Sequence, residues 1–128
     1  MKASLGKNEK LKSKKLFEQL FVEGKSISAF PVKLLYSECE FEDVLFKVGV
    51  VAPKKKFRSA VKRNRIKRLL RESYRLNKQL LFNNVEGNFA FLFLYLGNKM
   101  PKAKEVDKAV VQLLETFLKK ESHEKIDQ

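Results

Sequence analysis

Apolar positions recur along this chain at two spacings, and the switches between them divide it into elements. Over residues 13–23, Leu16, Phe17, Leu20 and Phe21 gather on one side of a 3.6-residue helix, and Gly24 supplies its stop. Residues 27–37 read as one strand, with Phe30, Val32, Leu34 and Tyr36 alternating onto one face and Pro31 marking it as irregular or at an edge. The acidic link 38–43 reads as a turn into a second strand over 44–52, which alternates through Val44, Phe46, Val48 and Val50. A helix follows over residues 59–81, with Ser59 as its cap and Ile66, Leu69, Leu70 and Tyr74 as its apolar stripe. Asn83-Asn84 and Gly87-Asn88 punctuate a loop. Residues 89–96 are apolar on both faces, as a central strand covered from both sides requires. Gly97-Asn98 and Pro101 then break the chain before a last helix over 103–120, striped by Val106, Val110, Leu113, Leu114 and Phe117.

The order α-β-β(-β)-α-β-α predicts a single α+β unit of helices and strands. Residues 1–12 are basic and unpatterned and 121–128 are charged, so a flexible basic tail and a frayed end are expected there. At 128 residues, 44% of them hydrophobic and eleven of them Phe, the chain has enough core for one domain, 1–128, and not for two. The single cysteine, Cys39, excludes an internal disulfide and a multi-cysteine zinc site. The first fifteen residues hold no secretory apolar segment, and residues 89–96 fall far short of the roughly 20 a membrane-spanning helix needs. A cytoplasmic protein with no membrane partner is the expectation.

Charge sharpens this picture. Of the net +13, residues 54–75 carry +10: eleven Lys/Arg against Glu72 alone. Like charges on one helix repel, so a one-signed cluster of this density points to a polyanionic partner, nucleic-acid phosphate above all. On the helix, Asn64, Arg65, Lys67, Arg68, Arg71 and Arg75 fall opposite the apolar stripe. The preponderance of Arg favours forked contacts to phosphate and stacking on bases over simple neutralisation. A DNA-reading helix would need more base-reading variety. Catalytic chemistry is poorly supplied. His123 has no partner imidazole, and the carboxylates Glu38, Glu40, Glu42 and Asp43 read as a solvated turn, the alternative being ligands of a two-metal nuclease. A basic α+β ribosomal protein is the other rival.

The run Ala60-Val61-Lys62-Arg63-Asn64-Arg65-Ile66-Lys67-Arg68, continued by Leu70-Arg71-Glu72-Ser73-Tyr74-Arg75, resembles the signature helix of the bacterial ribonuclease P protein subunit, with Arg63-Asn64-Arg65 as its RNR core. Val48-Gly49-Val50, Lys54-Lys55 and the early helix with Leu16, Phe17, Leu20, Phe21 and Gly24 are similar too, in the family's order. One departure stands out: many members have a glycine soon after the lysine pair, where this chain has Phe57-Arg58, which leaves the local turn open.

The resemblance implies an α/β sandwich with a mixed central sheet flanked by helices, a left-handed β-α-β crossover, and a role as accessory subunit of an endoribonuclease. That enzyme removes the 5′ leader of precursor tRNA by hydrolysis, leaving a 5′-phosphate. Its catalyst is RNA, its Mg²⁺ is bound mainly by that RNA, and the protein is monomeric apart from it. Lys54, Lys55, Lys56, Lys62, Arg63, Asn64, Arg65, Lys67, Arg68, Arg71 and Arg75 would face the catalytic RNA. Phe17, Phe21 and Tyr36 would line a cleft for the single-stranded leader, with Leu35 competing with Tyr36 for its place. Three alternatives stay open: Arg63, near the edge of the stripe, supports the fold or meets RNA; Lys54–Lys56 are ordinary strand-end lysines or extend the positive surface; Lys33, on the opposite strand face, is a plain surface lysine or more.

Overall fold

A computed structural model describes residues 9–39, 45–82 and 84–126, with side chains through Glu121. The chain runs α1 (Lys14–Glu23), β1 (Lys25–Ala29), β2 (Val32–Cys39), β3 (Phe46–Val51), α2 (Ala60–Asn77), α3 (Gln79–Phe82), β4 (Asn88–Tyr95) and α4 (Ala103–Ile126). The strands form one mixed sheet in the order β1-β2-β4-β3. β2 pairs antiparallel with β1 and β4, while β3 and β4 are parallel neighbours joined by a crossover through α2. The α+β class and the flanked mixed sheet expected from the sequence are therefore present.

The Ser59 cap acts as read, and Ser13 caps the first helix in the same way. The Ser13 hydroxyl accepts the Leu16 amide at 3.2 Å and the Ser59 hydroxyl accepts the Lys62 amide at 3.3 Å, each relieving a first-turn N–H of α1 and α2. Gly24 ends α1 in an extended, not left-handed, conformation; a Cβ there would collide with the Leu20 carbonyl, so the need is for closeness of approach.

Five expectations are corrected. Residues 27–37 are a hairpin, not one strand: the chain reverses at Phe30-Pro31, whose peptide bond is cis, and Phe30 leaves the core face for solvent. The second strand is Phe46–Val51, shorter than 44–52. The basic helix stops at Asn77, and Lys78 separates it from α3. Residues 9–12 are part of the fold. Lys10 bridges to Val48, the Leu11 amide donates to the Val48 carbonyl at 2.9 Å, and the Glu9 carboxylate meets the buried Lys78 ammonium at 3.0 Å. Finally, α4 continues to Ile126, and Glu121, expected to be frayed, is buried, 3.9 Å from Lys25. Residues 1–8, the acidic positions Glu40, Glu42 and Asp43, Val44, Asn83 and the His123 side chain lie outside the described part.

The sheet divides the core in two. On one face Tyr36, Phe46, Phe89, Phe91, Phe93 and Tyr95 meet Ile66, Leu70 and Tyr74 of α2 and Val106, Leu113 and Phe117 of α4. Phe117 meets Phe91 and Tyr36 edge-on with ring centroids 4.9 Å apart, the geometry aromatic quadrupoles prefer. The Asp107 carboxylate clasps the two helices, accepting from the Ser73 hydroxyl and the Asn77 amide, both at 2.9 Å. On the other face a smaller apolar cluster, Leu11, Leu20, Leu35, Ala90 and Leu92, is buried, with Leu16, Phe17, Cys39 and Val51 half-covering it.

Candidate nucleic-acid interface

With Ile66, Leu70 and Tyr74 turned inward, the rest of α2 is aimed outward by helical geometry alone. Lys62, Asn64, Arg65, Arg68 and Arg71 are exposed and Lys67 is half-buried. Lys62, Arg65, Lys67, Arg68 and Arg71 have no ion-pair partner among the described residues. Asn64, Arg65, Arg68, Leu69 and Glu72 surround a shallow depression on this surface, with Leu69 as an apolar floor. Guanidinium forks around an apolar spot can take both a phosphate and a base.

Three cations of the expected interface also have acceptors within the protein. Arg63 donates one guanidinium nitrogen to the carbonyls of Phe57 and Arg58, both at 2.8 Å, which realises the fold-supporting reading and settles the turn ahead of α2. In that turn Lys56 and Phe57 both donate their amides to the Pro53 carbonyl at 3.2 Å. Phe57 is buried against Tyr95, with ring centroids 5.9 Å apart, and so anchors this turn to the core. The Lys56 ammonium donates to the Leu96 carbonyl, while Lys54 and Lys55 remain exposed. Arg75 pairs with Glu72. That hydrogen bond, reinforced by the charges of Arg75 and Arg68, holds the Glu72 carboxyl below the usual carboxylate range and raises the Arg75 guanidinium. The one acid of the basic segment is thus quenched in place.

A second surface lies on the thinly covered face of the sheet. The Phe17 ring lies against β3 at Gly49, where a Cβ would come within 2.8 Å of its tip and 3.1 Å of Leu92. Phe21, one turn on, is 53% exposed. Tyr36 is not part of this surface. It is 1% exposed on the opposite face, packed against Phe89, Phe91 and Phe117, and its neighbour Leu35 takes the place under α1. Lys33 shares the Leu35 face and Lys47 the Gly49 face, so two amines border the surface that carries Phe17. Alternation groups residues by face; it does not say which helix each face meets.

Among the described residues no cluster of three or more His, Cys, Asp or Glu is placed to hold a metal ion, and no helix is long and apolar enough to cross a membrane. Cations, aromatic faces and a depression lined by Leu69 are features suited to single-stranded nucleic acid.

A family model described as Ribonuclease P matches residues 5–118. A "Ribonuclease P protein component" of Porphyromonas gingivalis is 34% identical over 114 residues, covering 86% of this chain and 83% of the relative. The fold resembles the RNase P protein of Thermotoga maritima, with a TM-score of 0.68, 23% identity and 83% and 94% of the two chains covered. It also resembles that of Staphylococcus aureus, with a TM-score of 0.67, 19% identity and 84% and 94% covered.

Proposed function

Because the chain belongs to the ribonuclease P protein family and so serves tRNA processing as a ribonuclease P component, we propose that it binds two RNAs at once. The arginine face of α2 docks the catalytic RNA. The open face of the sheet, with Phe17 and Phe21 above it, receives the 5′ leader of precursor tRNA. The observation that carries this reading is the separation of roles within the basic segment: Lys56, Arg63 and Arg75 bond acceptors of the protein, whereas Arg65, Arg68 and Arg71 face outward with no ion pair among the described residues. A helix that keeps its strongest donors unpaired is built for phosphate.

The protein's contribution is electrostatic and positional. It lowers the repulsion between two polyanions and holds the leader extended against aromatic faces, so that the scissile phosphodiester stays in the catalytic RNA's active centre. Mg²⁺ is bound mainly by the RNA in this proposal. Hydrolysis of the phosphodiester, the cytoplasmic setting and a protein that is single apart from its RNA are parts of the same proposal.

The test is reconstitution. Purified protein added to a bacterial ribonuclease P RNA at low Mg²⁺ is expected to restore precursor-tRNA cleavage. Arg65→Ala/Arg68→Ala is expected to lose that rescue while keeping the wild-type melting temperature, and to flatten the dependence of log affinity on log salt by about one unit per arginine. Failure of the wild type to rescue, or full rescue by the double variant, would overturn the reading.

A further inference from the structure

Phe30 stands 78% exposed at the tip of the β1–β2 hairpin. A lone exposed aromatic is ordinary on a protein surface; its surroundings here are not. The Leu96 amide donates to the Pro31 carbonyl at 2.7 Å, and the Leu96 carbonyl in turn accepts the Lys56 ammonium. Two bonds therefore tie the hairpin tip to the turn that carries Lys54, Lys55 and Arg58, all exposed and without an acidic partner among the described residues. The amino terminus of the 18-residue α2, positive by its dipole, opens at the same end of the sheet. A flat apolar face with cations around it suits a nucleotide: the base stacks while its phosphates meet the amines and guanidinium. A protein partner apolar enough to want Phe30 would have to strip water from those charges.

We propose that Phe30 is a stacking platform for one unpaired nucleotide of the catalytic RNA, with Lys54, Lys55 and Arg58 holding its phosphates. The inference rests on the reading of α2 as the docking face for that RNA and extends that face around the end of the sheet. The leader is the less favoured source. Phe21 lies just before Gly24 and Lys25, where β1 begins opposite Tyr36, while Phe30 follows Ala29 at its other end. The four strand steps between them span about 13 Å.

Wild type, Phe30→Ala, Phe30→Leu and Phe30→Tyr would be titrated against isolated ribonuclease P RNA at several salt concentrations. Phe30→Ala is expected to weaken binding roughly 5- to 100-fold, with Tyr restoring it, Leu failing to, and the salt dependence unchanged because no charge is lost. Lys54→Ala/Lys55→Ala should instead flatten the salt dependence, by about one unit per lysine. Unaltered binding by Phe30→Ala, rescue by Leu equal to that by Tyr, or a loss seen only with leader-bearing precursor would each overturn the proposal. These outcomes leave the docking face standing; failure of the wild type to bind the RNA would sink both.

Discussion

On one face of the sheet, β4 turns Phe89, Phe91, Phe93 and Tyr95 into a core sealed by α2 and α4; on the other, the same strand offers Ala90, Leu92 and Leu94 to the face that α1 and Leu11 thinly cover. Large aromatics alternate with smaller aliphatics along a single strand, so the two faces differ in depth as well as in covering. The sealed face is where the apolar area removed from water is concentrated, and with it the stability. The shallow face keeps Phe17 half-covered and Phe21 mostly in water, and it is the face proposed to receive the leader. One sheet can both hold a fold together and bind when its faces are packed unequally.

Three substitutions break or sharpen that contrast. Phe91→Ala, at 0% exposure in the sealed core, is expected to destabilise by about 3–5 kcal/mol in denaturant melts, because the surrounding rings cannot collapse into the void. A loss below about 1 kcal/mol would mean the sealed face is looser than its packing implies. Gly49→Ala pushes a methyl into the Phe17 ring from beneath. Since α1 is covered on one side only, the ring can shift, and a cost of about 1 kcal/mol is expected, at the low end for overpacking. Chemical-shift changes should appear at Phe17 and be absent at Phe91. Phe21→Ala should alter stability by less than about 0.5 kcal/mol yet weaken leader-bearing precursor more than leaderless tRNA in the reconstituted particle. Equal weakening of both substrates would remove the cleft from this face.

Much of this was legible in the sequence where the signal was local. Ser59 caps as read, the α2 stripe is buried, and the doubly apolar 89–96 run is the central strand in all but its boundaries. What stayed hidden depends on partners distant in sequence. Nothing near Lys78 shows that it will be buried against Glu9, 69 residues away, and break the helix there. Nothing near Lys56 or Arg63 shows the carbonyls that claim them. Period-two alternation rightly grouped Val32, Leu34 and Tyr36, but α4 rather than α1 covers that face, so Tyr36 left the cleft and Leu35 entered it. Phe30, in phase with the same set, was lost to the hairpin turn.

The arm ahead of α1 has one more effect. β3 borders the sheet, and a border strand offers its spare N–H and C=O groups to any other copy of the chain. Lys10 and Leu11 occupy that border at Val48, and the Glu9–Lys78 ion pair pins them there. While the protein is free, mutual repulsion among copies carrying +13 keeps them apart. Once RNA neutralises that charge the safeguard is gone, and the pinned arm is what still guards the border against self-pairing.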